Sequence, residues 1–138
     1  MDKAKTITVN VAVATLVALL LIWGNTWSRQ RDQFARGEKA QAAGDPISAI
    51  AGYESALHMY TPGSSLNGKA AARLWDMGET FERAGDLNRA LIAYRSVRSS
   101  FYAVRWLYQP GKEWIARCDA KIAELVQIQT EIRRQQKK

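Results

Sequence analysis

The stretch "GDPISAIAGYESAL" (Gly44–Leu57) returns later in the chain as "GDLNRALIAYRSV" (Gly85–Val97). Gly44 falls on Gly85, Asp45 on Asp86, Ala49 on Ala90, Ile50 on Leu91, Tyr53 on Tyr94 and Ser55 on Ser96, at a constant offset of 41. Upstream, Gly37 and Ala43 fall on Gly78 and Ala84 at the same offset. An ungapped offset over about twenty positions marks an internal repeat.

Each copy has a physical reading. Asp45 and Asp86 suit the N-cap of a helix, where a carboxylate accepts from the first free amides, and Pro46 suits the first helical position. The helices that follow place Ala49, Tyr53, Ala56 and Tyr60 on one face, and Ala90, Tyr94, Val97 and Phe101 on the other copy's face. Small residues at Ala49 and Ala90 admit a neighbouring helix. Ahead of the second turn, Leu74, Met77, Gly78 and Phe81 form one stripe, and Gly37 and Gly78 predict tight helix crossings. Glu79 and Arg83 are spaced for an i,i+4 ion pair. Both copies end at Tyr-x-Pro-Gly, in "YTPGSSLNG" (Tyr60–Gly68) and "YQPGK" (Tyr108–Lys112), with Val104 and Tyr108 continuing the second helix two turns beyond the first.

This pattern resembles the tetratricopeptide repeat. The second copy supplies Trp75, Gly78, Phe81, Gly85, Ala90, Tyr94 and Val97; the first supplies Phe34, Gly37, Ala40, Gly44, Ala49, Tyr53 and Ala56. The copies diverge from the family in three ways. Ala40 replaces an aromatic, the tryptophan sits one position late, and the period exceeds the usual ~34 residues. The resemblance implies an all-α, helical-hairpin domain over residues 29–138. Repeat one covers about 30–60, a loop 61–68, and repeat two about 69–108. Two repeats cannot close a solenoid core unaided, so a last helix, about 112–135, is expected as a cap. Its stripe is Ile115, Cys118, Ile122, Leu125 and Ile132, which could instead pair with a partner helix; Ile132 and the basic end are placed at or beyond the domain's edge. Cys118, the one cysteine of 138 residues, cannot form an internal disulfide and reads as a small buried apolar residue.

Residues 1–28 read differently. No residue from Thr6 to Ser28 is charged, and "ITVNVAVATLVALLLIW" (Ile7–Trp23) is almost wholly aliphatic. Seventeen residues span roughly 26 Å as a helix, and the flanks extend this to about 30 Å, the thickness of a bilayer core. Trp23 and Trp27 sit where indoles favour the headgroup level. A cleaved signal would want a small-x-small site, which "WGNTWSRQR" lacks. The expectation is a single-pass helix of a bacterial-type inner membrane. The basic residues after the span favour a cytoplasmic domain, whereas the short basic tail before it favours an inside N-terminus; the reading adopted is the latter, with the domain outside the cytoplasm. Asn10, Ala14 and Ala18 could pack against another membrane helix.

A formal net charge of +7 suits anionic phospholipid or nucleic acid. The span already fixes the location, and no aromatic-glycine nucleic-acid signature accompanies the charge, so lipid is the partner expected. No catalytic set is found. His58 is the only histidine, the glycines fall at crossings and turns, and the carboxylates are scattered along helical faces. No enzyme activity, cofactor, metal or small-molecule substrate is therefore expected.

The resemblance implies a protein-binding groove lined by the first helices, here Arg31, Phe34, Glu38 and Gln41, then Ala72, Trp75, Glu79 and Glu82. The lysine, asparagine and arginine that the family uses to clamp an acidic chain terminus are missing. Phe34 and Trp75 would grip an apolar or basic helix, or pack between first helices. A second candidate surface is Tyr102, Arg105 and Trp106, residue types that dominate interfaces; the alternative has the last helix folding over Trp106 and Trp114. The implied role is a membrane-anchored adaptor or accessory subunit of a larger membrane complex. The runner-up is a holdase-like assembly factor for unfolded or translocating chains.

Overall fold

The computed structural model describes residues 2–137, and among these it is helical with no strand. Five helices follow in order: α1 (Asp2–Ala42), α2 (Pro46–His58), α3 (Leu66–Arg83), α4 (Leu87–Ala103) and α5 (Lys112–Gln135). At 41 residues, α1 is about 60 Å long. It crosses the expected boundary at residue 28 without a break. The apolar composition changes there, but no proline precedes Pro46, and the residues after Ser28 are mostly good helix formers.

Helices α1 and α2 form one antiparallel hairpin and α3 and α4 a second, with turns that match bond for bond. Ala43 N–H donates to Lys39 O, Gly44 to Gln41 O and Asp45 to Ala40 O; Ala84, Gly85 and Asp86 donate to Thr80, Glu82 and Phe81 in the same way. Gly44 and Gly85 take left-handed φ of 73° and 77°, which a side chain would strain. Asp45 Oδ1 accepts from Ser48 N–H at 3.1 Å, and Asp86 Oδ1 accepts from Arg89 N–H at 3.0 Å. Each cap satisfies one of the helix's orphan amides.

The core repeats as well. The Tyr53 ring lies over Gly37 and 5.4 Å from Phe34, and the Tyr94 ring lies over Gly78 and 4.9 Å from Trp75. Both tyrosine rings are buried with Ala49, Ala56, Leu74, Ala90 and Val97. Their hydroxyls are paired with carboxylates, Tyr53 donating to Glu38 at 2.6 Å and Tyr94 to Glu82 at 3.0 Å. Burial of each phenol, with the carboxylate as acceptor, pushes its pKa well above the ordinary tyrosine value. Helix α5 packs on α4 through Ile115, Cys118 and Leu125, leaving Ile132 exposed. Burial pushes the Cys118 thiol up to about 11, so it is inert apolar filling.

Three expectations are corrected. Helix α4 stops at Ala103 and does not run to Tyr108. Gln109 Nε2 donates to the Phe101 carbonyl at 2.8 Å, the acceptor that a continuing helix would offer to Arg105 N–H. The chain then folds back, seating Gly111 against the Phe101 ring where no Cβ fits. Asn67-Gly68 lies in the first turn of α3, not in the loop. The buried Asn67 side chain accepts from Gln30 Nε2 at 2.5 Å and donates to Thr61 O at 2.8 Å, a network that overrides its turn preference. Glu79 and Arg83 do not form the expected ion pair. The Glu79 carboxylate accepts from Trp75 Nε1 at 2.9 Å instead, and Arg83 reaches the Glu79 carbonyl.

Candidate functional site

Helix α1 contains an apolar stretch long enough to cross a bilayer, and nothing among the described residues covers it. Val9, Val13, Leu16, Leu20 and Ile22 are all exposed, as are Asn10, Ala14 and Ala18. Trp23 and Trp27 stack with parallel rings 6.4 Å apart, and the Arg31 guanidinium stands 4.9 Å from the Trp27 ring. The same helix then enters the folded domain, where Gln30 is fully buried and donates to Ala56 O at 3.0 Å.

The face expected as one groove along α1 and α3 is divided. Phe34 is half-buried and lines a cleft of about 340 Å³ with Lys69, Ala72, Arg73 and Asp76. Beside it Arg73 Nε and Nη2 donate to the two Glu38 carboxylate oxygens at 2.8 and 3.1 Å, tying α3 to α1. Glu38 is held below the ordinary carboxylate range, first by the Tyr53 hydrogen bond and then, against partial burial, by Arg73.

Trp75 does not line an open groove: it is only 8% exposed. Helix α5 covers it, with Trp114 at 6.2 Å and the Arg117 guanidinium 4.2 Å above its ring and 4.8 Å from Trp114. Such cation–π stacking on a desolvated ring is worth about 1–2 kcal/mol. Lys121 completes the closure, donating to Glu82 Oε1 at 2.8 Å. Burial alone would raise the Glu82 pKa, but the hydrogen bonds from Lys121 and Tyr94 and the Lys121 charge outweigh it. Lys121 is in turn raised, chiefly by the bond to Glu82.

A pH prediction follows from this pair. Because Glu82 ionises more readily folded than unfolded, its stabilisation is fully present above the ordinary value of 4.5 and lost as pH falls below it. Lys121 keeps its contribution until alkaline pH, where protonated lysine is lost. Glu82→Gln should cost about 1 kcal/mol near pH 7 and progressively less as pH falls below 4.5, as read by urea unfolding in micelles. A cost independent of pH would refute this assignment.

Tyr102, Arg105 and Trp106 are exposed, and Arg98 lies 5.2 Å from the Tyr102 ring. The two tryptophans that the last helix was to cover part company. Trp114 packs on Trp75, whereas Trp106 stays 85% exposed beside Leu107 at 82%. An apolar cleft of about 750 Å³ separates Trp106, Tyr60 and Pro62 from Leu16, Leu20 and Trp23 of α1.

Arg117 and Gln30 are shaping residues that the sequence reading does not single out. Gln30 had one available signal: it precedes Phe34 and Gly37 by four and seven positions, the spacing of a shared helical face. Comparison with protein-family models, with curated proteins and with solved structures gives no match.

Proposed function

We propose that this chain is a membrane-anchored, tetratricopeptide-like adaptor or accessory subunit that binds a protein partner within a larger membrane complex. The observation that carries the reading is the continuity of α1. One helix exposes apolar side chains along a bilayer-length stretch and then buries Gln30 and packs Phe34 against the hairpin domain. The recurrence of the Gly-Asp turn and the aromatic–tyrosine–glycine contact at offset 41 supports the tetratricopeptide-like part.

With Trp75 closed off, the partner face is the cleft at Phe34, an apolar floor with a mixed-charge rim in which Arg73 is paired with Glu38 and Lys69 stands with Asp76. A span that holds the domain at the bilayer raises its effective concentration near membrane partners, so a shallow cleft suffices. The test is a mild-detergent pull-down of the full chain, repeated with Ile7–Trp23 exchanged for an unrelated span and with Lys69→Glu. A partner set in fixed ratio that is lost in either variant supports the reading. A broad, variable set of chains that survives both would overturn it in favour of a holdase.

A further inference from the structure

Both Tyr-x-Pro-Gly turns lie at one end of the helical domain, and both Gly-Asp turns lie at the other. Gln30 bonds to Ala56 and Asn67, which brings the end of α2 and the start of α3 level with the point where α1 leaves the domain. The two turns are joined by the Tyr60 and Tyr108 hydroxyls, 3.3 Å apart. Pro62, Trp106, Leu107 and Tyr108 are exposed at this end, with no cover among the described residues. For Trp106 and Leu107 that is an unusual load of apolar surface on a loop.

Their position relative to α1 gives the load a direction. The cleft beneath Trp106 is walled by α1 residues from Leu16 to Thr26, a stretch of about 15 Å along the helix axis. The loops therefore reach back alongside the apolar stretch. Trp106 lines the same cleft as Trp23, the indole expected at the bilayer edge from the length of the span. Arg105 adjoins Trp106 in sequence, and Arg29 and Arg31 flank Gln30, whose contacts with Ala56 and Asn67 mark this end of the domain.

We infer that the Tyr60–Gly63 and Arg105–Tyr108 turns form a second membrane contact. They insert Trp106 and Leu107 into the headgroup–acyl boundary of the leaflet in which α1 ends, with the arginines on anionic headgroups. This rests on the anchor reading above. It assigns Trp106 and Arg105 to lipid, where the sequence suggested a protein partner. Two points of attachment fix the tilt of the domain, which a single helix would leave free to swivel. The Phe34 cleft is then presented at a fixed height above the bilayer.

The test places nitroxide labels on the full chain in a Cys118→Ala background, reconstituted into phosphatidylcholine–phosphatidylglycerol vesicles. Labels at Leu107→Cys, Val13→Cys and Ile47→Cys report the loop, the span and the distal end, and native near-UV dichroism is required of each. Oxygen partitions into the bilayer and a nickel chelate stays in water, so their collision rates give depth. The expected result is an oxygen-to-nickel ratio at Leu107 several-fold above that at Ile47 and below that at Val13, which lies near the middle of the span. A membrane-like Val13 with a Leu107 ratio equal to Ile47 would overturn the second contact and leave the anchor standing. A water-like Val13 would overturn the anchor itself.

Discussion

Replacing Trp75 with alanine should lower the stability of the helical domain by about 3–5 kcal/mol, with Trp75→Phe losing roughly 1–2 kcal/mol. The indole is buried where three helices meet: Tyr94 of α4 packs on it at 4.9 Å, and Trp114 and Arg117 of α5 cover it. Alanine removes the apolar area, the cation–π contact and the Glu79 acceptor's partner together, and α5 cannot settle into the gap without losing the Lys121–Glu82 bond. Phenylalanine keeps a ring against Tyr94 but loses the N–H donor. Against the 5–15 kcal/mol that holds a typical domain, the alanine variant would forfeit a third or more. Urea unfolding in micelles, followed by near-UV dichroism, reads it directly. A Trp75→Ala change within about 0.5 kcal/mol of the parent would mean that the ring is a surface group after all.

That residue also marks the limit of what the sequence discloses. Helical faces are local properties, so the stripes through Tyr53, Tyr94 and Leu74 and the caps at Asp45 and Asp86 are legible from spacing alone, and they are found in place except for Tyr60, Val104 and Tyr108, which lie beyond the ends of α2 and α4. What covers a face is a non-local property. Nothing near Trp75 in the chain says that Trp114, Arg117 and Lys121 will close over it from about forty residues away. The groove expected along α1 and α3 is therefore half filled from within, while Phe34, which α5 does not cover, keeps its cleft.

The helix ends show the same division. At Ala43–Asp45 and Ala84–Asp86 the stop signal is a glycine in left-handed conformation, and the residue type announces it. At Ala103 the stop comes from Gln109, whose side chain takes a carbonyl eight residues back, which no propensity scale records. Asn67-Gly68 is the converse case: a strong turn pair drawn into a helix by a buried partner on α1. The boundary at residue 28 is chemical and not conformational, since an apolar stretch and a polar one follow one another along one continuous helix.

The same helix makes Gly52→Ala the second decisive substitution, expected to cost about 2–3 kcal/mol. Alanine for glycine within a helix ordinarily gains up to about 1 kcal/mol, so the sign must come from the neighbourhood. A methyl on Gly52 would lie 2.6 Å from Gly37 N, 2.7 Å from Gly37 Cα and 3.1 Å from Gln33 O. Comfortable carbon contacts need about 3.5–4.0 Å, and these are backbone atoms that cannot rotate away. Relief requires α1 and α2 to separate by about 1 Å, loosening the Tyr53 seat on Gly37 and the Gln30 bond to Ala56 together. Gly68→Ala provides the contrast. It lies in the first turn of α3 with no non-neighbouring atom within 4 Å of the new methyl, so it should be neutral or gain a few tenths of a kcal/mol. Melting both variants in micelles separates the two accounts. A stabilised Gly52→Ala would show that the α1–α2 crossing yields easily. A destabilised one would show that close backbone contact is what joins the apolar stretch to the domain as one rigid body. In that case the crossing also governs how the Tyr-x-Pro-Gly turns sit beside the span, because α2 carries the first of them.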